Sequence, residues 1–123
     1  MNDEWLIAIV DDDASLRRSL GNLLKSTGFN VETFASAEAF LAAGKVETMD
    51  ALVLDVRMPG MSGVDLLVEL TRRASRLPVV VLTAHGDEDV RKQCFRAGAA
   101  AFLAKPFQPK DLLDAIHRAT RGD

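Results

Sequence analysis

ALVLDVRMPGMSG, residues Ala51–Gly63, is the most informative segment of the chain. Its first four residues are apolar, the fifth is Asp55, and Pro59, Gly60 and Gly63 interrupt any regular structure that follows. A short apolar run bounded by turn residues indicates a fully buried strand. We therefore expect Asp55 at the carboxyl end of that strand, which is the end where ligands bind in an open parallel α/β sheet.

Four other short segments have the character of strands. Three of them are apolar throughout, whereas Asn30–Phe34 alternates in polarity and suits an edge strand. A polar residue follows each fully apolar run, as Asp55 follows Ala51–Leu54. The five predicted strands are Leu6–Val10, Asn30–Phe34, Ala51–Leu54, Val79–Leu82 and Ala101–Ala104, and the residues that close the apolar ones are Asp11, Asp55, Thr83 and Lys105.

Amphipathic patterns with helical spacing separate the strands. Leu16, Leu20 and Leu23 recur on one face of a first helix, with Asp13 as its N-cap and Gly28 as its stop. The apolar positions of the later helices are Phe40 and Leu41 in the second, Val64, Leu67, Val68 and Leu70 in the third, Val90, Cys94 and Phe95 in the fourth, and Leu112, Leu113, Ile116 and Ala119 in the fifth.

The alternation of strands and helices predicts βαβ units and a parallel sheet with right-handed crossovers. With the edge strand second in the chain, the expected strand order is 2-1-3-4-5. The first and third strands then lie side by side at the point where the order reverses. The predicted fold class is α/β, a flavodoxin-like, doubly wound, five-stranded parallel sheet flanked by five helices.

The composition predicts one domain, residues 1–123, and excludes several classes of protein. Apolar residues make up 48% of the chain and charged residues 27%, which is typical of a globular fold rather than a disordered chain. The net charge of −3 provides no field that would attract nucleic acid or an anionic membrane. The acidic start lacks a signal-peptide pattern, no apolar run is long enough to span a membrane, and the single Cys94 cannot form an internal disulfide. We therefore expect a cytoplasmic protein.

If the strand order is correct, the polar residues at the strand ends meet in one crevice. Asp11, Asp12 and Asp55 then lie together, and two carboxylates about 4 Å apart repel by about 4 kcal/mol at a surface-like dielectric. Lys105 neutralises one of the three negative charges. A hard divalent cation with oxygen ligands would neutralise the remainder, and Mg²⁺ fits better than an all-protein Ca²⁺ cage. Zinc is not expected, since the chain has no cluster of His or Cys.

This set of residues suits phosphoryl chemistry. A carboxylate such as Asp55 can attack phosphorus and form an acyl phosphate, and water can later attack the same phosphorus. The transition state spreads negative charge over three equatorial oxygens, which cations and hydroxyl donors stabilise. Mg²⁺, Lys105 and the hydroxyl of Thr83 would supply that stabilisation.

Four motifs, taken together and in order, closely resemble the receiver domain of bacterial two-component response regulators. The resemblance covers essentially the whole chain, and its motifs are specific only as a set; one of them is D-x-x-M-P-G-M-x-G from Asp55 to Gly63. The segment His85-Gly86-Asp87 and the acidic run Asp11-Asp12-Asp13 are most like the receivers of helix-turn-helix transcriptional regulators. The other three motifs are the acidic pair Asp11-Asp12, the pair Thr83-Ala84 and the segment Lys105-Pro106-Phe107.

The resemblance implies a role for each residue of the site. Asp55 would accept a phosphoryl group from the phosphohistidine of a sensor histidine kinase. Mg²⁺ would be held by Asp12, Asp55 and the backbone carbonyl of Arg57, with Asp11 acting through water. Lys105 would contact the phosphoryl group, and its peptide bond to Pro106 would be cis. Such a domain promotes only its own phosphorylation and dephosphorylation, so a conventional turnover enzyme is not expected.

The resemblance also implies how phosphorylation would reach a partner. Thr83 would turn toward the phosphoryl group, and Phe102 on the fifth strand would turn inward, without the hydroxyl of the tyrosine that is frequent there. The face formed by helix four, strand five and helix five would then repack as the output surface. The implied partners are the kinase, an output domain or partner protein such as a DNA-binding domain outside these residues, and a second copy in a phosphorylation-dependent homodimer.

Other functions fit the residues less well. A flavin-binding protein of this fold needs phosphate-binding donors in its first loop, where three aspartates stand, and a dinucleotide enzyme needs a glycine-rich motif there. A phosphatase of the haloacid-dehalogenase type needs a second acid at the position of Arg57. The alternative of another class is a pseudo-receiver, which would act only as a constitutive protein-binding module.

The remaining polar residues have simpler interpretations. Asp13 is expected to cap the first helix, His117 to lie on the surface of the last helix, and Cys94 to be a small buried hydrophobic residue. His85 and Arg57 flank the predicted site, where each would either influence the phosphoryl group or be merely solvated.

Overall fold

The computed structural model describes residues 5–84 and 87–121, so His85 lies outside the described residues. The strands are β1 (Leu6–Val10), β2 (Asn30–Phe34), β3 (Ala51–Asp55), β4 (Val79–Ala84) and β5 (Ala101–Lys105). All neighbouring strands run parallel, in the order β2-β1-β3-β4-β5. The predicted α/β fold class, strand order and edge position of β2 are confirmed.

Five helices connect or follow the strands. Asp13 caps the first helix and Ser36 the second, since each side chain accepts hydrogen bonds from the backbone of the first turn. The helices are α1 (Ala14–Ser26), α2 (Ala37–Ala42), α3 (Gly63–Arg72), α4 (Glu88–Arg96) and α5 (Pro109–Arg121), with a short 3-10 helix, Val46–Thr48, before β3. Within residues 5–84 and 87–121, no helix combines the length and the apolar character needed to cross a bilayer.

Apolar side chains cover both faces of the sheet, as a doubly wound fold requires. One face packs against α2, α3 and α4, and the other packs against α1 and α5. The central strand β3 is buried along its whole length, because helices cover both its faces and strands flank both its edges. Leu52 and Leu54 face the first group of helices, whereas Ala51 and Val53 face the second. Asp55 is therefore held at the end of the most constrained strand.

Two predicted anchors of the helices are wrong. Val68 of α3 is 54% exposed and Phe95 of α4 is 44% exposed. The buried leucines of α3 are Leu66, Leu67 and Leu70, which recur at helical spacing, and Val68 lies about 100° around the axis from Leu67. Apolar character alone does not determine which side of a helix faces the sheet.

His117 is more enclosed than the surface position predicted for it. Its partly buried ring forms a triangle with those of Trp5 and Phe29, with a centroid separation of 5.8 Å to each. Its Nδ1 lies 2.8 Å from the carbonyl oxygen of Leu113, one turn earlier in α5. Cys94 is fully buried, as predicted, and burial raises the pKa of its thiol.

Candidate functional site

The adjacency of β1 and β3 places the acidic residues at one edge of the sheet. Val10 pairs with Leu54, so Asp11 and Asp55 follow side by side at the ends of their strands. Asp12 begins the turn that leads to α1. Carboxylate oxygens of Asp11, Asp12 and Asp55 lie within 4.8 Å of one another. The structure thus brings together the three acidic residues that the sequence predicts at this edge.

Asp11 is the most deeply buried member of the cluster, at 1% exposure. Its Oδ1 accepts a hydrogen bond from the backbone N–H of Asp13 at 2.9 Å, whereas its buried Oδ2 has no hydrogen-bond partner within the described part of the chain. Burial raises the pKa of the Asp11 carboxyl, and the nearby charge of Asp55 acts in the same direction. The side chain of Arg17 donates to the backbone carbonyl of Asp11 at 2.7 Å and so fixes the turn.

Asp55 is 7% exposed and faces the one described cation of the cluster. Lys105 Nζ lies 3.8 Å from Asp55 Oδ1, and the same oxygen accepts a hydrogen bond from the backbone N–H of Arg57 at 3.3 Å. Because β4 separates β3 from β5, the lysine side chain reaches across the end of β4. Burial nevertheless raises the pKa of Asp55, since Lys105 offsets the cost of desolvation only in part.

Thr83 lies within β4, which extends beyond Leu82, the predicted end of the strand. Leu82 pairs with Asp55 and Thr83 pairs with Ala104, so Thr83 lies between the ends of β3 and β5. Its side chain is buried, and its Oγ1 has no hydrogen-bond partner among the residues that the structure describes. A buried hydroxyl in that state costs about 1–3 kcal/mol, so this position is unfavourable for stability alone.

These residues fit a magnesium ion. Three carboxylates lie together, one of them beside the Lys105 ammonium, and Asp11 Oδ2 is a buried acceptor with no donor among the described residues. Hard oxygen donors of this kind suit Mg²⁺, and Asp11, Asp12 and Asp55 are the side chains that would hold it. The participation of the Arg57 carbonyl and the water-mediated role of Asp11 stay predictions.

The loop after β3 depends on a glycine at position 63. A Cβ added to Gly63 would lie 2.6 Å from Val56 Cα and 2.9 Å from the carbonyl oxygen of Asp55. The Gly63 N–H also donates to the carbonyl of Val56 at 3.0 Å. The sequence marks Gly63 as a turn residue, but its role is to let α3 begin directly against the backbone of the site.

Two contacts of this loop are missed by the sequence analysis. Glu38 of α2 accepts a hydrogen bond from the backbone N–H of Met61 at 3.0 Å, and this bond lowers the pKa of Glu38. Arg57 is not merely solvated, because its guanidinium forms a hydrogen-bonded ion pair with Asp87, the N-cap of α4. That bond lowers the pKa of Asp87. Glu38 and Met61 are 23 residues apart and Arg57 and Asp87 are 30 apart, so no local sequence pattern predicts these contacts.

Phe102 lies on β5 and contacts α4. Its ring centroid is 6.1 Å from that of Phe95, and the guanidinium carbon of Arg91 is 5.7 Å from the Phe102 centroid. The ring is partly buried against the sheet face covered by α2, α3 and α4. The Lys105-Pro106 peptide bond at the end of the same strand is cis, as the resemblance implies.

Comparison with known sequences identifies the family. The model of the response regulator receiver domain matches residues 7–117. The chain is 42% identical to Nodulation protein W of Bradyrhizobium diazoefficiens over 118 residues, which cover 96% of this chain and 52% of that protein. It is 43% identical to Transcriptional regulatory protein FixJ of Azorhizobium caulinodans over 122 residues, which cover 99% of this chain and 57% of that protein. The chain thus spans about half the length of these relatives.

Solved structures agree with this match. FixJ-N has a TM-score of 0.88 at 40% identity, covering 95% of this chain and 94% of that one. Response regulator StyR has a TM-score of 0.88 at 47% identity, and the match covers 96% of this chain and 60% of the StyR chain. Chemotaxis protein CheY4 of Vibrio cholerae has a TM-score of 0.85 at 28% identity, and the match covers 94% of this chain and 98% of the CheY4 chain. The chain therefore belongs to the response regulator receiver domain family, whose members are signalling domains rather than conventional enzymes.

Proposed function

We propose that residues 1–123 form a receiver domain that accepts a phosphoryl group on Asp55 from the phosphohistidine of a sensor histidine kinase. The observation that carries the proposal is the approach of three carboxylates within 4.8 Å beside a lysine ammonium 3.8 Å from Asp55. A structural ion pair would need only one carboxylate, such as Asp55, and the lysine. A third, buried carboxylate adds repulsion and lowers stability, which favours a functional explanation.

In the transfer, an oxygen of the Asp55 carboxylate attacks phosphorus and forms a P–O bond. The P–N bond to the kinase imidazole breaks, and the leaving nitrogen keeps the electron pair. Lys105 places its ammonium beside the attacked group, and the unpartnered hydroxyl of Thr83 is available to a phosphoryl oxygen. Mg²⁺, held by Asp12, Asp55 and the carbonyl of Arg57 with Asp11 acting through water, would supply positive charge that stabilises the phosphoryl oxygens.

Phosphorylation would be transmitted through Thr83 and Phe102. Thr83 moves toward the phosphoryl group, Phe102 turns inward into the space that opens, and the face formed by α4, β5 and α5 changes shape. That face then controls a phosphorylation-dependent homodimer or an output domain. The relatives named as transcriptional regulators are about twice as long as this chain, which supports a DNA-binding output domain outside it. The domain itself, with a net charge of −3, would act in the cytoplasm without contacting nucleic acid directly.

The test is phosphorylation in a defined mixture. The protein is incubated with Mg²⁺ and a small acyl phosphate donor, and intact-mass spectrometry measures uptake. Wild type should gain the mass of one phosphoryl group, and Asp55→Asn should gain none. Asp13→Asn is the matched control, because it removes an adjacent charge while asparagine still caps α1. It should be phosphorylated like wild type.

Chelation of Mg²⁺ should abolish uptake by every variant. Absence of uptake by wild type with Mg²⁺ would refute the proposal and favour the pseudo-receiver, whose pocket plays no part in its function. Uptake by Asp55→Asn would refute the assignment of the phosphoacceptor. Light scattering with and without the phosphodonor then measures whether phosphorylation produces a dimer.

A further inference from the structure

Arg91 of α4 lies over two aromatic rings at once. Its guanidinium carbon is 5.7 Å from the ring centroid of Phe102 on β5 and 5.5 Å from that of Phe95 on α4. The two rings are 6.1 Å apart with an interplanar angle of 33°. The three groups therefore lie at the corners of a triangle with sides of 5.5, 5.7 and 6.1 Å, and this cluster, the Arg91 clamp, joins α4 to β5. A guanidinium at this distance is attracted to the negative face of an aromatic ring.

A second contact orients the arginine. Glu88, one turn earlier in α4, has an Oε2 3.7 Å from Arg91 Nη1. Glutamate and arginine at this spacing attract each other weakly at an exposed site. The pair limits the directions that the guanidinium can take and is compatible with its position near the Phe102 ring. The Arg91 side chain is half exposed, so its replacement does not disturb the core.

We propose that Arg91 is a positioning residue that holds Phe102 against α4 and so opposes the inward turn of that ring. The inference rests on the proposed function, because the inward turn is part of it. To turn inward, the Phe102 ring must leave both the guanidinium and the Phe95 ring. Its departure uncovers Phe95 and Arg91 on the output face, so the same movement changes what that face presents to a partner.

The size of the effect follows from the strength of the contact. A cation–π contact at a partly exposed site corresponds to about a two- to fivefold change in an equilibrium. A ligand that favours the inward state must bind more tightly by the same factor when the opposing contact is removed. Loss of the Arg91 clamp should therefore raise the affinity for a noncovalent phosphoryl analogue about two- to fivefold.

The experiment uses beryllofluoride with Mg²⁺ as that analogue. Fluorine NMR of the bound ligand gives the midpoint of the titration for wild type and for each variant. Arg91→Met removes the guanidinium but keeps a flexible apolar stem, and Arg91→Lys keeps the charge without the planar group. Lys92→Met is the control, since Lys92 is an exposed cation next in sequence on the same helix. Arg91→Met should lower the midpoint about two- to fivefold, Arg91→Lys should fall between it and wild type, and Lys92→Met should match wild type.

A second measurement distinguishes failure of the proposed function from failure of the Arg91 clamp. With 4-fluorophenylalanine at position 102, the fluorine resonance reports the surroundings of that ring in the metal-free protein. Arg91→Met should shift this resonance toward the position that beryllofluoride produces in wild type, and Lys92→Met should leave it in place. If wild type binds no beryllofluoride, the proposed function fails. If wild type binds it but Arg91→Met changes neither midpoint nor resonance, or Lys92→Met changes both equally, only the Arg91 clamp is refuted.

Discussion

Replacement of Asp11 by Asn should make the metal-free protein more stable. The Asp11 carboxylate lies within 4.8 Å of those of Asp12 and Asp55, and each such pair repels by about 3–4 kcal/mol at an effective dielectric constant near 20. Lys105 cancels part of this repulsion, and solvent screens the exposed Asp12. We therefore expect a net increase of about 1–3 kcal/mol in the free energy of unfolding.

The geometry of the substitution favours this gain. The side-chain oxygen of Asn can still accept the hydrogen bond from the Asp13 N–H, as Asp11 Oδ1 does at 2.9 Å. The amide NH₂ then occupies the position of Oδ2, which has no donor in the wild type, and faces the other two carboxylates. A repelling acceptor is replaced by a donor without a change of shape.

Urea unfolding and thermal unfolding, each with EDTA or with excess Mg²⁺, measure the change in stability. In EDTA the gain corresponds to an increase of roughly 3–12 °C in Tm for a domain of this size. Excess Mg²⁺ at about 100 times its Kd should stabilise wild type by about 2.7 kcal/mol and the variant by less, because the variant has lost one acidic group of the site. The advantage of Asp11→Asn should therefore shrink or reverse with Mg²⁺. Asp114→Asn, an exposed change on α5, is the control and should have little effect in either condition.

The difference in stability between Asp11→Asn and wild type should also depend on pH, in a direction that can be checked. Burial raises the pKa of Asp11 above its ordinary value of 3.8 in the folded protein. The folded state therefore keeps this proton at pH values where the unfolded chain has lost it, and the carboxyl lowers stability as the pH rises through its raised pKa. The advantage of Asp11→Asn in EDTA should be small below pH 3.8 and should grow as the pH rises. A variant that is less stable than wild type at neutral pH in EDTA, or an equal benefit from Mg²⁺ in both proteins, would refute the reasoning.

Four further substitutions test the backbone and the buried hydroxyl of Thr83 by urea unfolding. Gly63→Ala should lower the free energy of unfolding by about 1–3 kcal/mol, because its Cβ would lie 2.6 Å from Val56 Cα, whereas Gly21→Ala in α1 has room and should raise it by about 0.5–1 kcal/mol. Ala74→Gly should raise it by about 0.5–1 kcal/mol, since Ala74 has a φ of 57°. Thr83→Val should raise it by about 1–2 kcal/mol, because it removes a buried hydroxyl without a partner, and should also slow phosphorylation in the intact-mass assay. An increase in the free energy of unfolding for Gly63→Ala would contradict the close packing of Gly63, and a decrease for Thr83→Val would contradict the burial of its hydroxyl.

The fold was accessible from the sequence because its signals are local. Apolar runs closed by Asp11, Asp55, Thr83 and Lys105 predict the strand ends to within two residues, and the edge character of β2 predicts the order. The side of each helix that faces the sheet was harder to predict. Leu67 and the adjacent apolar Val68 point in directions about 100° apart, and only contact with the sheet decides which of them is buried.

The candidate site was predicted where parallel strands fix the position of a side chain by register. The approach of the three aspartates follows from the pairing of β1 with β3. The contacts of Arg57 with Asp87 and of Glu38 with Met61 could not be predicted in this way, because each joins separate surface segments. A chain with 15 basic and 18 acidic residues offers many such pairs, and only the folded surface selects among them.

The same atoms that lower the stability of the domain can supply the free energy of its switch. Asp11 Oδ2 and Thr83 Oγ1, on opposite sides of Asp55, are buried with no partners in residues 5–84 and 87–121, and each costs about 1–3 kcal/mol in that state. A cation beside the first and a phosphoryl oxygen beside the second would recover those costs only when the site is loaded. On the proposed mechanism, the contact of Arg91 with Phe102 would oppose the inward turn by about 0.5–1 kcal/mol, less than the cost of either buried group. A ligand shifts a conformational equilibrium only through its different affinities for the two states. Loading of Asp55 would then overcome the clamp, whereas the unloaded domain would keep Phe102 against α4.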